Sequence, residues 1–307
     1  MKERIIITGA SGLVGESLCK LLYDNGFDVA ILSRSDKSAS KYPIFKWDLE
    51  NGYIDDSLFD QKIDYIIHLA GSPIADKKWT DDQKKEIISS RVDSINLLAK
   101  YLEKHNCRPK AFISASAIGI YGNSLDDRIL NEYSVLKKES TEFLVQTCLK
   151  WEAATEKIKK MGVRTAILRI GIVLSEKGGA LAKMLPSYRF GLGAYFGNGK
   201  QYYSWIHIDD ICKMFLFLIR SEKAEGVYNG VAPNPIKNKE LAADIAKAKN
   251  QKALLLPVPK VAMKIAMGEM AVVVLDSTRV EPKRMLEAGF EFSFPEALAA
   301  LKDLLKR

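Results

Sequence analysis

The residues best suited to bind a charged ligand form the glycine-rich segment Thr8-Gly-Ala-Ser-Gly-Leu-Val-Gly15, a G-x-x-G-x-x-G pattern. It follows a short apolar run and opens a helical pattern, the strand–turn–helix context of a dinucleotide-binding loop. There Gly9 allows the tight turn, Gly12 lets the backbone approach a pyrophosphate, and Gly15 lets the helix pack close to the sheet. The pattern predicts a dinucleotide site; the other interpretation is a purely structural glycine turn.

The end of the second predicted strand indicates which dinucleotide the site takes. An NAD site usually has an acidic residue there, about 20 residues past the glycines, to bind the ribose hydroxyls. Here the strand ends in Ser33-Arg34, and Asp28 lies at its opposite end. A serine and a guanidinium suit the 2′-phosphate of NADP, because arginine binds phosphate bidentately and stacks on adenine. The sequence predicts NADP(H) as the cofactor, the alternative being that Arg34 is an ordinary surface arginine.

Short apolar runs alternate with amphipathic stretches over the first 172 residues or so of the chain. The pattern predicts strands at residues 5–8, 28–33, 65–69, 111–116 and 164–169. It predicts helices at residues 13–25, 81–105 and 138–160. This alternation is typical of an α/β fold, here a Rossmann-type doubly wound parallel sheet.

The pattern changes in the C-terminal half, where glycines and aromatic residues crowd residues 191–205. Helices are then predicted at residues 211–221, 239–249, 259–267, 278–288 and 295–305. We therefore expect a smaller, mostly helical C-terminal cap domain. The predicted NADP-binding domain comprises residues 1–175 plus about 204–235, and the substrate or cap domain comprises about 176–203 plus 236–307.

The composition excludes several functional classes. Hydrophobic residues make up 47% and charged residues 27% of the 307, which is ordinary for a globular protein. The net charge of +8 is scattered and forms no block of basic and aromatic residues, so we expect no nucleic-acid partner. Four dispersed cysteines and three histidines predict no metal site and fit a reducing, cytoplasmic location. No signal peptide or membrane span is expected, because Lys260, Lys264 and Glu269 interrupt the most apolar late stretch.

Further motifs resemble the extended branch of the short-chain dehydrogenase/reductase superfamily, which includes the NAD-dependent epimerase/dehydratase family. Besides the glycine loop, Trp47-Asp48-Leu49 and His68-Leu-Ala-Gly71 carry this resemblance. Nearly the whole chain is similar to one subgroup, the atypical epimerase-like family that older naming labels cell-division inhibitor. The motifs of that subgroup are Ser114-Ala-Ser-Ala-Ile-Gly-Ile-Tyr-Gly122, Gly171-Ile-Val-Leu174, Lys177-Gly-Gly-Ala-Leu-Ala-Lys-Met-Leu185, Ser204-Trp-Ile-His-Ile-Asp-Asp210, Ala232-Pro-Asn-Pro235 and Pro282-Lys-Arg-x-Leu-x-x-Gly289.

The resemblance implies which residues contact the cofactor. It places the phosphates on Ser11, Gly12, Leu13 and Val14, and the adenosine phosphate on Ser33 and Arg34. Asp48 and Leu49 match the adenine edge, and Leu69, Ala70 and Gly71 match the strand end beneath the ribose. Glu86 and Arg91 match a helix that faces the cofactor, and Ile172 matches the loop that meets the nicotinamide. For Glu86 and Arg91 the other interpretation is an ordinary exposed helix face.

The resemblance breaks at the active site. Extended reductases carry a Tyr-x-x-x-Lys pair on one helix face, where the lysine lowers the pKa of the tyrosine so that it exchanges a proton near neutral pH. Counting back from Arg169 puts the tyrosine position at Phe143 or Leu144. The lysine position then falls at about Cys148, and neither pair can do this work.

Other residues could supply a proton. The position of the family's catalytic serine falls on Ala117, which leaves Ser116 and Tyr121 as candidate catalytic residues. Tyr133-Ser-Val-Leu-Lys137 has the right spacing but lies about ten residues too far upstream, in a predicted loop, so we do not expect Tyr133 to be the acid. For the pair Asp209-Asp210 we predict helix capping rather than catalysis.

We therefore expect an NADP(H)-binding, epimerase-like or oxidoreductase-like protein of unknown small-molecule substrate that lacks the usual Tyr-x-x-x-Lys pair. The alternative is a catalytically silent NADP(H)-binding regulatory protein that acts through a protein partner. A working sugar-nucleotide epimerase is third, because a shared fold does not establish chemistry. The sequence leaves open whether the protein forms a homodimer.

Overall fold

Fourteen strands and eleven α-helices form within residues 2–35, 40–124 and 127–306, the part of the chain that the computed structural model describes. The strands are β1 (Arg4–Thr8), β2 (Asp28–Ser33), β3 (Ile44–Asp48), β4 (Tyr53–Ile54), β5 (Tyr65–His68), β6 (Ala111–Ala117), β7 (Arg164–Ile170), β8 (Ile172–Leu174), β9 (Leu192–Phe196), β10 (Tyr202–Tyr203), β11 (Trp205–His207), β12 (Gly226–Gly230), β13 (Ile236–Lys237) and β14 (Leu254–Val258). The helices are α1 (Leu13–Asp24), α2 (Asp81–Lys104), α3 (Phe143–Ala154), α4 (Glu156–Lys160), α5 (Gly179–Tyr188), α6 (Ile208–Arg220), α7 (Asn238–Ala248), α8 (Lys260–Met267), α9 (Val272–Leu275), α10 (Lys283–Glu287) and α11 (Ala297–Leu304).

The central sheet has eight strands in the order β12-β7-β6-β5-β1-β2-β3-β4. Its pairs are parallel except β3 with β4, which is antiparallel. The strand β1 has β2 on one side and β5 on the other, so the order of the chain reverses there. Ligands of such sheets bind in the crevice at this switch point, outside the carboxyl ends of the strands. The predicted Rossmann-type doubly wound fold is confirmed.

The core explains why the strands could be predicted. All five residues of β1 are buried, and Ile5, Ile6 and Ile7 are completely inaccessible to solvent. Because helices cover both faces of a parallel sheet, its strands are apolar throughout rather than alternating. The five predicted strands lie within one residue of β1, β2, β5, β6 and β7.

The prediction of one helix at residues 138–160 is wrong in two respects: the helix begins later, and it is interrupted in the middle. The structure begins α3 at Phe143 and ends it at Ala154, and a second helix, α4, follows. The break lies at Thr155, whose N–H and hydroxyl both donate to the carbonyl oxygen of Glu152, at 3.1 and 2.7 Å. A threonine that bonds back to the preceding turn tightens the helix and bends it.

The C-terminal region is helical as predicted, but it contains short strands that the pattern did not indicate. Pairs of strands form β9 with β14, β10 with β13 and β8 with β11. The helix predicted at residues 278–288 is wrong, since only α10 forms. Val280 forms a bridge with Leu130, and Pro282 starts the helix late. Within the described ranges, no helix is both long and apolar enough to cross a bilayer.

Candidate functional site

A cavity of about 1360 Å³ lies at the switch point, where β1, β2 and β5 end. The predicted cofactor residues on its wall are Gly9, Ser11, Gly12, Ser33, Arg34, Leu49, Leu69, Ala70 and Gly71. The predicted residues that are not on this wall are Leu13, Val14, Gly15, Asp48, Glu86, Arg91 and Ile172. The fold thus brings four separate segments of the predicted set together around one space: the glycine loop, the end of β2, Leu49 after β3 and the end of β5.

The glycine loop is held in place by close backbone packing. Gly9 has a φ of +70°, and a Cβ there would lie 2.7 Å from the carbonyl carbon of Leu69. A Cβ at Gly15 would lie 2.2 Å from the carbonyl oxygen of Gly9, so only glycine allows α1 to approach β1 this closely. The buried hydroxyl of Thr8 accepts the N–H groups of Leu69 and Ala70, both at 3.2 Å, which joins the two loops.

The N-terminus of α1 can bind an anion. Gly12 occupies the N-cap position and supplies no capping side chain. The first N–H groups of a helix have no partner within it, so those of Leu13 and Val14 remain available. Ser11 and Gly12 are exposed on the cavity wall. Unpaired N–H groups and the helix dipole together favour a phosphate at this position.

The carboxyl end of β2 carries the residues predicted to choose between NAD and NADP. Arg34 is exposed on the cavity wall, and the Ser33 hydroxyl accepts the N–H of Ser35 at 3.2 Å.

Asp48 ends β3, and its carboxylate accepts the side-chain amide of Asn51 at 2.8 Å and the N–H groups of Glu50 and Asn51. These bonds, chiefly those from Asn51, lower the pKa of Asp48. The carboxylate of Asp48 therefore stabilises its own turn.

The two predicted residues on α2 have different environments. Glu86 is exposed and accepts the hydroxyl of Ser72 at 2.9 Å. Arg91 is buried, and its Nη1 donates to the carbonyl oxygens of Ser72 and Ile87 at 3.1 and 2.8 Å. Burial lowers the pKa of Arg91 to about 10. An exposed helix face, the other interpretation of this pair, therefore applies to Glu86 only.

The remaining predicted cofactor residue lies in β8. The N–H of Ile172 donates to the carbonyl oxygen of Ser204 at 2.9 Å, and Ile172 pairs with Trp205 of β11. The preceding N–H, that of Gly171, donates to the carbonyl oxygen of Gly230. This loop is therefore fixed to the strand β12 and to the segment before β11 by backbone bonds.

The two candidate catalytic hydroxyls belong to one buried network. Ser116 donates to Oε1 of Glu152 at 2.8 Å, and Arg169 donates to both carboxylate oxygens of Glu152. Nη1 of Arg169 also donates to the hydroxyl of Tyr121 at 3.0 Å, which in turn donates to Oδ1 of Asn229 at 2.9 Å. Ser116 and Tyr121 are 2% and 4% exposed, and neither lies on the cavity wall. Both hydroxyls thus hold neighbouring side chains in place.

The helix α3 carries apolar or uncharged side chains at the positions that the count from Arg169 predicts for the family's tyrosine and lysine. A Cβ at Gly119 would lie 3.5 Å from Cβ of Leu144 and 3.8 Å from Sγ of Cys148. Burial raises the pKa of the Cys148 thiol to about 12. Tyr133 lies in an exposed turn and donates its hydroxyl to Glu287 at 2.7 Å.

The predicted capping role of Asp209-Asp210 is wrong. The N-cap of α6 is His207, whose Nδ1 accepts the N–H of Asp209 at 3.0 Å. Asp210 is completely buried, and its carboxylate accepts the N–H groups of Ser293 and Phe294 at 3.1 and 2.9 Å. Asp210 lies inside the first turn rather than before it, so its side chain points to the C-terminal segment.

Sequence reasoning missed several residues of the cavity wall. Ser72 and Pro73 follow β5, and the segment 175–177 follows β8. Each lies just beyond the carboxyl end of a strand, the region where ligands bind in sheets of this kind. The signal in the sequence that could have identified these residues is their position directly after a strand.

Comparisons with protein families and individual proteins agree with this fold. Residues 5–229 match the model of the NAD dependent epimerase/dehydratase family, and residues 258–304 match a domain of unknown function, DUF1731. An epimerase family protein of Staphylococcus aureus is 34% identical over 306 residues, which cover 99% of each chain. The epimerase family protein YfhF of Bacillus subtilis is 34% identical over 303 residues, 98% of this chain and 97% of that one.

Solved structures of epimerases and epimerase family proteins are also similar to this chain. The human epimerase family protein SDR39U1, crystallised with NADPH, is 30% identical over 99% of both chains, with a TM-score of 0.86. A nucleoside-diphosphate sugar epimerase from Corynebacterium glutamicum is 30% identical with a TM-score of 0.77; the match covers 99% of this chain and 58% of that one. Family model, relatives and structures agree over most of the sequence. The chain therefore belongs to the NAD dependent epimerase/dehydratase family.

Proposed function

We propose that the protein binds NADP(H) in the cavity at the switch point and is an oxidoreductase-like or epimerase-like protein of a still unidentified substrate. The observation that carries this proposal is that the uncapped N-terminus of α1 and the pair Ser33-Arg34 face the same cavity. The similarity to SDR39U1, whose structure contains NADPH, supports it. When bound, the nicotinamide supplies hydride transfer, and the protein supplies binding and orientation.

Each part of the cavity has a binding role in this proposal. The N–H groups of Leu13 and Val14 bind the pyrophosphate, for which Gly12 leaves room. Arg34 binds the 2′-phosphate as a charge-assisted pair, with the Ser33 hydroxyl beside it. Leu69 and Ala70 support the ribose from the end of β5, where the Thr8 hydroxyl holds their N–H groups.

We further propose that no Tyr-x-x-x-Lys pair operates here. Leu144 and Cys148 cannot exchange a proton near neutral pH, and the hydroxyls of Ser116 and Tyr121 are bound in the Arg169 network. Any proton that a reduction needs must then come from the substrate or from water. The same observation favours the second candidate function, a catalytically silent NADP(H)-binding protein that regulates a partner.

Titration of NADPH and NADH against the purified protein tests the cofactor. We expect NADPH to bind more tightly, and Arg34→Ala to lose about 1.5–3 kcal/mol of NADPH binding while NADH binding changes little. Lys41→Ala is the matched control. Lys41 is also on the cavity wall, but its ammonium lies 4.0 Å from the ring centroid of Tyr23, near the far end of α1. That end is about 18 Å from Gly12, at 1.5 Å per residue.

Two outcomes would count against the proposal. Equal affinities of the parent for NADPH and NADH would contradict the preference for NADP(H). Failure of both cofactors to bind would contradict the assignment of the cavity itself. A loss of NADPH affinity in Lys41→Ala equal to that in Arg34→Ala would mean that the 2′-phosphate lies elsewhere along the cavity.

A further inference from the structure

The net positive charge of the chain belongs to one part of the C-terminal region. Residues 177–208 and 245–268 contain nine lysines and arginines and no aspartate or glutamate. The rest of the chain has 37 of the 46 basic residues and all 38 acidic ones, so these two segments account for the whole net charge of +8. They lie together, because one contains β9 and the other β14, and these strands pair along their full length. We call the two segments the basic cap.

The sheet of β9 and β14 has one buried and one exposed face. On the buried face, a Cβ at Gly193 would lie 2.6 Å from Cδ2 of Leu255 and 2.9 Å from the hydroxyl of Tyr188, a buried residue. Because side chains alternate along a strand, Leu254 points to the opposite face, beside its partner Leu192. An apolar sheet face is thus open to solvent. The exposed large apolar side chains of this sheet and of the turn before it are Phe190, Leu192, Leu254 and Leu256.

The helix α8, which follows β14 after one proline, is exposed as well. Six of its eight residues are exposed, and the other two, both methionines, are half-buried. Val261 and Ile265 lie one turn apart on one face and are 68% and 76% exposed. A Cβ at Gly197, the residue after β9, would lie 2.8 Å from Cε of Lys260. The start of α8 therefore lies beside the carboxyl end of the two-stranded sheet.

Exposed aliphatic side chains among lysines fit an anionic lipid surface. Apolar groups of such a surface enter the boundary between headgroups and acyl chains, and lysines bind the lipid phosphates. Lys252 and Lys264 are both exposed, and the basic cap has no carboxylate that would repel a phosphate. A second copy of this chain fits less well, because a symmetric contact would place two basic caps against each other and bring like charges together.

We propose that the basic cap docks on an anionic lipid surface, with Val261, Ile265 and the exposed face of β9 and β14 entering the headgroup region. The contact is peripheral, since α8 is only about 12 Å long at 1.5 Å per residue, whereas the hydrocarbon core of a bilayer is roughly 30 Å thick. The inference goes beyond the proposed function. It does not depend on the cofactor.

Co-sedimentation of the 307-residue chain with vesicles tests this inference. One set of vesicles contains equal amounts of phosphatidylglycerol and phosphatidylcholine, and the other contains phosphatidylcholine alone. At physiological ionic strength and without NADPH, we expect binding to the anionic vesicles to be at least about ten-fold tighter than to the neutral ones. Binding to the anionic vesicles should weaken as the salt concentration rises, because salt screens exposed charges.

Two pairs of substitutions separate the apolar contribution from the charge. Val261→Ser with Ile265→Ser removes the apolar side chains of α8 and should weaken binding to anionic vesicles at least about ten-fold. Lys252→Gln with Lys264→Gln removes two exposed charges and should weaken binding about ten-fold at physiological ionic strength. At high salt this second pair should differ little from the parent.

The matched controls lie outside the basic cap. Ile129→Ser with Val135→Ser removes two exposed aliphatic side chains, and Lys157→Gln with Lys159→Gln removes two exposed lysines of α4. Neither control pair should change vesicle binding. Circular dichroism and melting temperatures show whether each variant is folded. If Val261→Ser with Ile265→Ser does not fold, the parent's preference for anionic vesicles and its dependence on salt still test the inference.

Other outcomes would overturn the inference. No binding of the parent to either kind of vesicle would do so and would make an acidic protein the alternative partner of this surface. Equal binding of the parent and of Val261→Ser with Ile265→Ser would exclude α8 from the contact. Equal binding to neutral and anionic vesicles would contradict the choice of an anionic surface. In analytical ultracentrifugation without lipid, a dimer of the parent that dissociates in the same variant would assign the surface to a second copy of the chain.

Discussion

Glu152 and Arg169 form a bidentate ion pair that joins the helix α3 to the strand β7. Its two N–H···O bonds, from Nε to Oε1 and from Nη2 to Oε2, both measure 2.8 Å, and the side chains are 12% and 4% exposed. The pair also holds the hydroxyls of Ser116 and Tyr121. The two hydroxyls that the sequence offered for proton transfer thus take part in fixing the end of β7.

Glu152→Ala should destabilise the protein strongly. Removing one partner of a buried ion pair leaves the charge of Arg169 unpaired, which costs about 3–5 kcal/mol. Urea denaturation followed by circular dichroism measures the free energy of unfolding. Glu156→Ala, an exposed substitution at the start of α4, is the control and should change it by less than about 0.5 kcal/mol. A loss below about 1 kcal/mol in Glu152→Ala would show that water reaches the Arg169 guanidinium.

The parts of the fold that depend on short runs of apolar residues and on glycine positions could be predicted from the sequence. Ile5 to Ile7 are apolar because both faces of β1 are covered, and Gly9 and Gly15 are glycines because a Cβ would collide with backbone. The break at Thr155 could not be predicted, since it depends on whether a threonine hydroxyl bonds back to its helix.

The burial of Arg91 could not be predicted for a different reason. Arginines are almost never fully buried without a partner, so an exposed helix face was a reasonable interpretation. What buries Arg91 comes from distant parts of the chain: Trp151 on α3 and Gly71 after β5. Similarly, His207 caps α6 because the helix begins at Ile208, while Asp210 lies inside the first turn and accepts backbone N–H groups of residues 293 and 294.

Gly12→Val should abolish NADPH binding and leave the protein folded. Valine tolerates the φ of −81° and ψ of 168° at Gly12, and its Cβ would lie 3.3 Å from the carbonyl oxygen of Gly9, a contact that a small shift relieves. In the proposed site, the side chain would fill the space of the pyrophosphate. Gly15→Val is the contrasting variant: its Cβ would lie 2.2 Å from the carbonyl oxygen of Gly9, so we expect it to unfold or melt far below the parent. Circular dichroism and NADPH titration measure both properties. Retained NADPH affinity in Gly12→Val would mean that the phosphates lie elsewhere.

Asp276 should make stability depend on pH. Burial, and then the carboxylate of Glu142, raise the pKa of Asp276 from its ordinary 3.8 to about 6. Because the folded state binds this proton more tightly than the unfolded state, the free energy of unfolding that Asp276 contributes falls as the pH rises from about 4 to 6. Asp276→Asn removes this dependence, so its stability relative to the parent should increase across that window.

Urea denaturation of the parent and Asp276→Asn at pH 4, 5, 6 and 7 measures the difference. Asp60→Asn, an exposed aspartate, is the control and should follow the parent at every pH. A constant difference between the parent and Asp276→Asn over the whole range would show that Asp276 titrates alike in both states. A difference that decreases with pH would give the pKa shift the opposite sign.

Tyr133→Phe should leave cofactor binding and any turnover unchanged. Tyr133 is 61% exposed, lies in a turn, and donates its hydroxyl to Glu287 of α10 at 2.7 Å. A proton donor must come within hydrogen-bond reach of the substrate, about 2.6–3.2 Å or through one water. Tyr133 is not on the wall of the cavity, so it meets the spacing of Tyr-x-x-x-Lys without meeting its geometry. NADPH titration gives the first measurement, and turnover gives the second once a substrate has been identified. The expected change in stability is below about 1 kcal/mol, since an exposed hydrogen bond contributes little. A loss of turnover of about a hundred-fold in Tyr133→Phe, the size of a general-acid contribution, would assign Tyr133 the catalytic role that its position argues against.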